Sequence, residues 1–226
     1  MLFDNTYFIY VIPALIITIL AQINVKSTFS RYSKVRNSRG VTGQDVARQI
    51  LDENGLYNVR IERVHGSLTD HYDPSANVVR LSDSVHDSTS VAAIGVAAHE
   101  VGHAIQHSTG YIPIKVRAAI IPLTQIGSML AFPLVLIGLS MASTFFVDIG
   151  ILLFAAVVLF QLVTLPVEFN ASFRAMRSLN DRDILYGDEL KGSRKVLTAA
   201  ALTYVGALAV SLLQLLRLIS LKNNRR

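Results

Sequence analysis

Four stretches of this chain, roughly residues 6–23, 118–142, 145–166 and 197–220, are long runs of apolar side chains with almost no formal charge at their centres. A helix needs about 20 such residues to cross the hydrocarbon core of a bilayer. Lipid also restricts the backbone, because every N–H and C=O must find its partner within the protein, which leaves helices and closed barrels. Four separate runs of this length predict a mainly α integral membrane protein with about four transmembrane helices. The overall balance agrees, since 51% of the 226 residues are hydrophobic and 16% are charged, an apolar excess over ordinary soluble domains.

The first run, "TYFIYVIPALIITILAQI", carries Asp4 where a secretory signal would carry a positive charge, and it lacks a small-residue cleavage pattern; it reads as a retained anchor over 6–23. The second and third runs are separated only around "STFFVD" and read as a helical hairpin over 118–166. Thirteen basic residues near the span ends share one face. Seven of them, Lys26 to Arg39 and Lys115 with Arg117, flank the first long loop, and six, Arg174 to Lys195, follow the third span. The positive-inside rule makes that face cytosolic. The tail "LKNNRR" dissents, because four full crossings would put it outside. The net charge of +5 is therefore mainly a topology signal, with attraction to anionic lipid following from the same residues. No nucleic-acid module is visible, and the absence of cysteine excludes disulfides and thiolate ligands.

The polar residues gather in a segment over 24–117. "VTGQDVARQILDENGL" predicts an amphipathic helix capped by Thr42 and stopped at Gly55, "NVRIERV" and "ANVVRLS" predict two short strands, and "TDHYDPSA" between them reads as turn chemistry. A last helix, for which "DSTS" offers N-cap residues, begins near Ser88 or Thr89 and runs to about His107. That helix holds "VAAIGVAAHEVGHAIQH". Its apolar beginning is too short to span on its own, so it predicts a helix buried in the polar domain; an intramembrane helix is the alternative.

Residues four apart on a helix lie on one face, about 6 Å apart along the axis. His99 and His103 can therefore aim imidazole nitrogens at one ion, and Glu100 beside them can reach a water there, as in the H-E-x-x-H pattern. With no thiolate available, two imidazoles suit Zn2+. A satisfied core pair of histidines is the structural alternative. A catalytic zinc needs a third protein ligand. His107 would lie about 12 Å along the helix from His99, too far to share the ion. Glu168, in "LVTLPVEFNASFRAMRS", emerges from the third span on the same face as the two histidines. From position alone it is either that ligand or an interfacial carboxylate paired with a cation such as Arg174. His71, Tyr72 and Asp73 are weaker candidates for the cleft. The strand "NVVRL" is a candidate edge for an extended peptide, with an internal strand as the alternative.

With these residues in hand, the chain resembles the neutral zinc metallopeptidase family of bacterial membrane proteins. The resemblance runs through the N-terminal anchor, "GVTGQDVARQIL", "LTDHYDP", "VVRLSDSV", "SVAAIGVAAHEVGHAIQH" and "LPVEFNASFRA". More distantly it is similar to the CAAX prenyl endopeptidases and the heat-shock membrane proteases, in which a second helix supplies a glutamate. The resemblance implies a small α+β, zincin-like domain of the gluzincin type. It further implies one Zn2+ per chain held by His99, His103 and Glu168, with Glu100 as catalytic base. Those distant relatives carry an aspartate four residues after the ligand glutamate; Ser172 stands there in this chain, so Asn170 or Ser172 is expected to orient an imidazole instead.

The resulting expectation has five parts: an anchor over 6–23, a cytosolic domain over 24–117, a hairpin over 118–166, a helix and loop over 167–196 with the third ligand, and a last span over 197–220. The protein would be a multi-pass component of the bacterial plasma membrane. It would hydrolyse peptide or membrane-protein substrates beside the lipid with its site on the cytosolic face. A zinc-bound scaffold or chaperone-like protein and an intramembrane protease are the alternatives.

Overall fold

The elements form where the side-chain periodicity and caps direct them. In the computed structural model, which describes residues 6–223, α1 (Ile12–Tyr32) follows a π-helical turn at Tyr7–Val11. The wide turn has a local cause: Pro13 has no N–H to offer the carbonyl four residues back, and Ile12 N–H bonds instead to Tyr7 O. The polar segment then gives α2 (Gly43–Glu53), β1 (Arg60–Val64), β2 (His71–Asp73), β3 (Val78–Ser82) and α3 (Val91–Ser108). Three long helices follow, α4 (Ile112–Ser140), α5 (Thr144–Asp181) and α6 (Gly187–Asn223). Asp4 and the last three residues of the tail lie outside the described residues.

The helices α4, α5, α6 and the segment Tyr7–Tyr32 are each long and apolar enough to cross a membrane, whereas α3 is not among such helices. The protein is thus a mainly α membrane protein with four such helices and a small α+β part, as the four apolar runs predict. α5 continues through Pro166 for fifteen residues beyond the apolar run. Membrane helices tolerate this because neighbouring groups re-satisfy the freed carbonyl.

The chain divides into two compact units. The first takes the residues through Gln22, Ile112–Pro166 and those from Thr203. Its helices pack through small residues: a Cβ on Gly127 would lie 2.5 Å from Leu153 O, and one on Gly150 would lie 2.7 Å from Ala131 O, the close approach that association in lipid uses. Leu20, Met129 and Leu152 are exposed, as a lipid-facing surface requires. Lys222 Nζ pairs with Asp148, so the end of α6 lies near the start of α5.

The second unit takes Ile23–Tyr111 and Val167–Leu202. Its core joins Val46, Ile50 and Leu51 of α2, Val79 and Leu81 of β3, Ile94 and Ala97 of α3, Leu179 near the end of α5, and Ile184 in the turn that follows it. α2 starts on a capping box. Thr42 Oγ1 accepts from Asp45 N–H at 3.3 Å while Asp45 Oδ2 accepts from Thr42 N–H at 2.9 Å, and Gly55 leaves the helix at φ +73°. α3 is central, with 13 of its 18 residues buried; a helix apolar on nearly all sides belongs inside a core.

The sheet corrects two expectations. Its order is β1-β3-β2, with β1 parallel and β2 antiparallel to β3. β2 lies inside the segment that reads as turn, because its three residues extend only by pairing with β3. That pairing makes β3 an internal strand, so "NVVRL" offers no free edge. Asp73 does act as turn chemistry, its Oδ1 accepting from Ser75 N–H at 2.9 Å and Ala76 N–H at 3.1 Å.

Candidate metal centre

Two helices of the second unit build the site. Ser90 caps α3 by accepting from Ala93 N–H at 3.2 Å, and the helical spacing from there puts His99 and His103 on one face, their rings 4.7 Å apart edge to face. α5 passes close by. A Cβ on Gly102 would lie only 2.6 Å from Ala171 O, so glycine at this position lets the two backbones meet and brings Glu168 to the histidines. Glu168 Oε2 lies 3.3 Å from His99 Nε2 and 3.5 Å from His103 Nε2. The three residues form a group able to hold a metal ion, each offering one donor within 4.8 Å of the others.

These separations fit zinc. Two donors about 2.0–2.2 Å from one ion in a tetrahedral arrangement stand roughly 3.3–3.6 Å apart. Two imidazoles and a carboxylate are also a donor set that Zn2+ takes in open catalytic sites.

The groups behind the histidines strengthen the fit. Gln106 is wholly buried, and its amide nitrogen donates to Val167 O at 2.7 Å and to Asn170 Oδ1 at 3.0 Å. Both amide hydrogens are thereby used, so its oxygen must face His103 Nδ1, 3.0 Å away. His103 then donates from Nδ1, and its Nε2 lone pair points at Glu168. A lone pair and a carboxylate oxygen facing each other require a positive charge between them, either a proton or a cation. His99 Nδ1 lies 3.1 Å from Ser172 Oγ, which accepts its proton when Nε2 serves as a donor atom to an ion.

Both expected orienting residues therefore take part, by different routes. Ser172 reaches His99 directly, whereas Asn170 reaches His103 through Gln106. Gln106 itself is missed by the sequence reading; its spacing of three from His103 and seven from His99 on one helix face is the signal that points to it. Replacing Gln106 with Leu should weaken zinc affinity about ten- to a hundred-fold, measured by competition with a chromogenic chelator. Unchanged affinity would remove Gln106 from the site.

Glu100 is 8% exposed. Burial raises its pKa above the ordinary carboxylate value; the His99 and His103 imidazoles oppose the rise, and the Asp70 and Glu168 carboxylates add to it. Asp70 is held by Ser82, whose N–H and hydroxyl donate to it at 2.7 and 2.9 Å. For His103, burial works against the charged ring, but the Glu168 and Glu100 carboxylates outweigh it and hold its pKa above the usual imidazole value. The cluster as a whole favours added positive charge.

Other candidates go elsewhere. His107 packs its ring 5.4 Å from that of Tyr72, outside the group of three able to hold a metal. Tyr72 donates its hydroxyl to Asn77 Oδ1 at 3.1 Å, and Asp73 pairs with Arg80 at 2.8 Å. Arg174 donates to Asn170 Oδ1 at 2.8 Å, and its partner in the unit is this amide and not Glu168.

The model of the family described as "Putative neutral zinc metallopeptidase" matches residues 7–223. The chain belongs to this neutral zinc metallopeptidase family. A curated relative named "Putative membrane protease YugP", found in Bacillus subtilis (strain 168), is 50% identical over 215 residues, which is 95% of this chain and 96% of the relative. No solved structure matches the chain. Family membership implies zinc, and the His99, His103 and Glu168 donors are where this chain can hold it.

Proposed function

We propose that the protein is a zinc metalloendopeptidase of the bacterial plasma membrane, hydrolysing peptide bonds of proteins or peptides beside the lipid. The observation that carries this reading is the convergence of His99 Nε2, His103 Nε2 and Glu168 Oε2 at zinc-like separations, with Glu100 adjacent on the same helix. His99, His103 and Glu168 would hold one Zn2+. Bound there, the ion would polarise the scissile carbonyl and acidify a water.

The remaining chemistry falls to side chains of this chain. Glu100 takes a proton from the attacking water as the carbon–oxygen bond forms, then delivers it to the amine as the carbon–nitrogen bond breaks. Its raised proton affinity suits a group that must accept and return a proton. Gln106 and Ser172 keep the two imidazoles in the tautomer and orientation that leave Nε2 available. The low polarity around α3 keeps bulk water away from the proton being shuttled.

The basic residues that flank the spans support a cytosolic site. The pairing of Lys222 with Asp148 supports a full crossing by α6, with its end on the side of the α4–α5 turn. Stripping zinc from the purified protein with a chelator should abolish cleavage of casein or of a membrane-protein substrate, and stoichiometric zinc should restore it. Cleavage that persists without metal would overturn the reading.

A further inference from the structure

Asn170, Arg174, Arg177 and Asp181 recur along α5 at helical spacing and form one stripe. The stripe begins two residues after Glu168, about 200° around the helix, and so lies off the face that carries the metal-binding carboxylate. A cavity of about 570 Å³ opens along it, bounded also by Arg182, with Phe173 and Ile105 as apolar wall. Three guanidinium groups and one carboxylate give this lining a formal charge of +2.

Two of the three arginines have acidic partners. Arg177 Nε donates to Asp181 Oδ2 at 3.2 Å, and Arg182 pairs with Glu53. Arg174 differs. Its Nε donates to Asn170 Oδ1 at 2.8 Å and its guanidinium sits 6.0 Å from the Tyr111 ring centre. Among the described residues no carboxylate pairs with it. A half-buried guanidinium with only an amide and a ring for company carries an uncompensated charge, and its outer nitrogens form the fork that binds tetrahedral anions in bidentate fashion.

We propose that this cavity is a binding site for a phosphate ester, with Arg174 as its principal ligand and Arg177 and Arg182 completing the cradle. A phosphate monoester carries close to two negative charges near neutral pH, which Arg174, without a carboxylate partner among the described residues, attracts first, and its three outer oxygens can accept from more than one guanidinium. The volume lies within the roughly 300–1,000 Å³ of small-molecule sites and leaves room for an organic body along Phe173 and Ile105. Arg174 and Gln106 share the Asn170 oxygen as acceptor, so the guanidinium that holds the occupant would sit two hydrogen bonds behind Gln106, the group that orients His103. The site stands on its own geometry, while that connection to the metal rests on the zinc-peptidase reading.

The test uses the full, zinc-loaded chain in detergent and reads binding alone, so loss of the peptidase reading would not be mistaken for loss of the site. Isothermal titration with glycerol 3-phosphate examines a soluble source. Native mass spectrometry after exchange into lipid with and without phosphatidic acid examines a headgroup source. Binding in either arm, weakened roughly ten- to a hundred-fold by Arg174→Gln, is expected, and the arm in which it occurs names the source. Should Arg174→Gln fail to fold, Arg177→Ala replaces it, since that side chain is 72% exposed and its loss is expected to weaken binding as well. No binding in both arms, or binding that neither substitution weakens, would overturn the proposal.

Discussion

Glutamine at position 100 should leave zinc bound and stop hydrolysis. Glu100→Gln keeps the shape of the side chain in a setting where only 8% of the residue is exposed, so no cavity and no clash are created. It removes the group that accepts the water proton. General acid–base groups contribute about 10²–10⁴ to rate, and kcat/KM should fall by at least about a thousandfold because one residue serves both proton transfers. The neutral amide also relieves a carboxylate buried near Asp70 and Glu168, so thermal stability should hold or rise. Zinc analysis and peptide cleavage on the same preparation separate the outcomes. Activity near the wild-type level would remove Glu100 as the base. Loss of zinc would make it part of the metal-holding group. Full biological function of the variant with zinc bound and no cleavage by either protein would favour the zinc-bound scaffold.

How much of this was legible in the sequence depends on the range of the interactions involved. The four long helices could be read because length and apolarity act locally, and Thr42 was readable as a cap because a cap is decided within four residues; the start of α3 was expected near Ser88 or Thr89, in a row of four residues that can all cap, and lies at Val91 behind the Ser90 cap. The strand β2 was not, since "HYD" extends only where Val78, Val79 and Arg80 stand opposite it; turn composition around it masked the pairing. The internal place of β3 is likewise a long-range outcome, fixed by a parallel partner eighteen residues earlier. At the candidate site, His99 and His103 announced themselves by a spacing of four. Glu168 needed the hairpin topology to become a candidate and the family resemblance to be preferred. The spacing of Gln106 puts it on the face of the two histidines, but its task shows only once Val167 and Asn170 occupy both its amide hydrogens. Local rules thus reached the two donors on α3 and stopped short of the groups that aim them.

Adding one methyl group at Gly102 should cost the protein its zinc without touching any ligand. The Cβ of Gly102→Ala would lie 2.6 Å from Ala171 O and 3.2 Å from both Ala171 C and Ala171 Cα, far inside the roughly 3.5–4.0 Å at which carbon contacts are favourable. Those atoms are backbone and cannot rotate aside, so α3 and α5 must separate. Glu168 stands three residues before Ala171 and would be carried with it, away from His99 and His103. A donor set that requires separations near 3.4 Å tolerates little of this, and zinc affinity should fall at least about a hundredfold. Gly95→Ala on the same helix is the control. Its Cβ would meet Ser193 Oγ at 2.3 Å but Ser193 Cβ only at 3.4 Å, and a hydroxyl can turn away. Both substitutions give the helix the same intrinsic gain, about 1 kcal/mol for alanine over glycine, so any difference in zinc content reports the α3–α5 contact. Chelator competition on the two variants decides the matter: equal zinc affinity would mean that the close approach at Gly102 does not hold the metal site together.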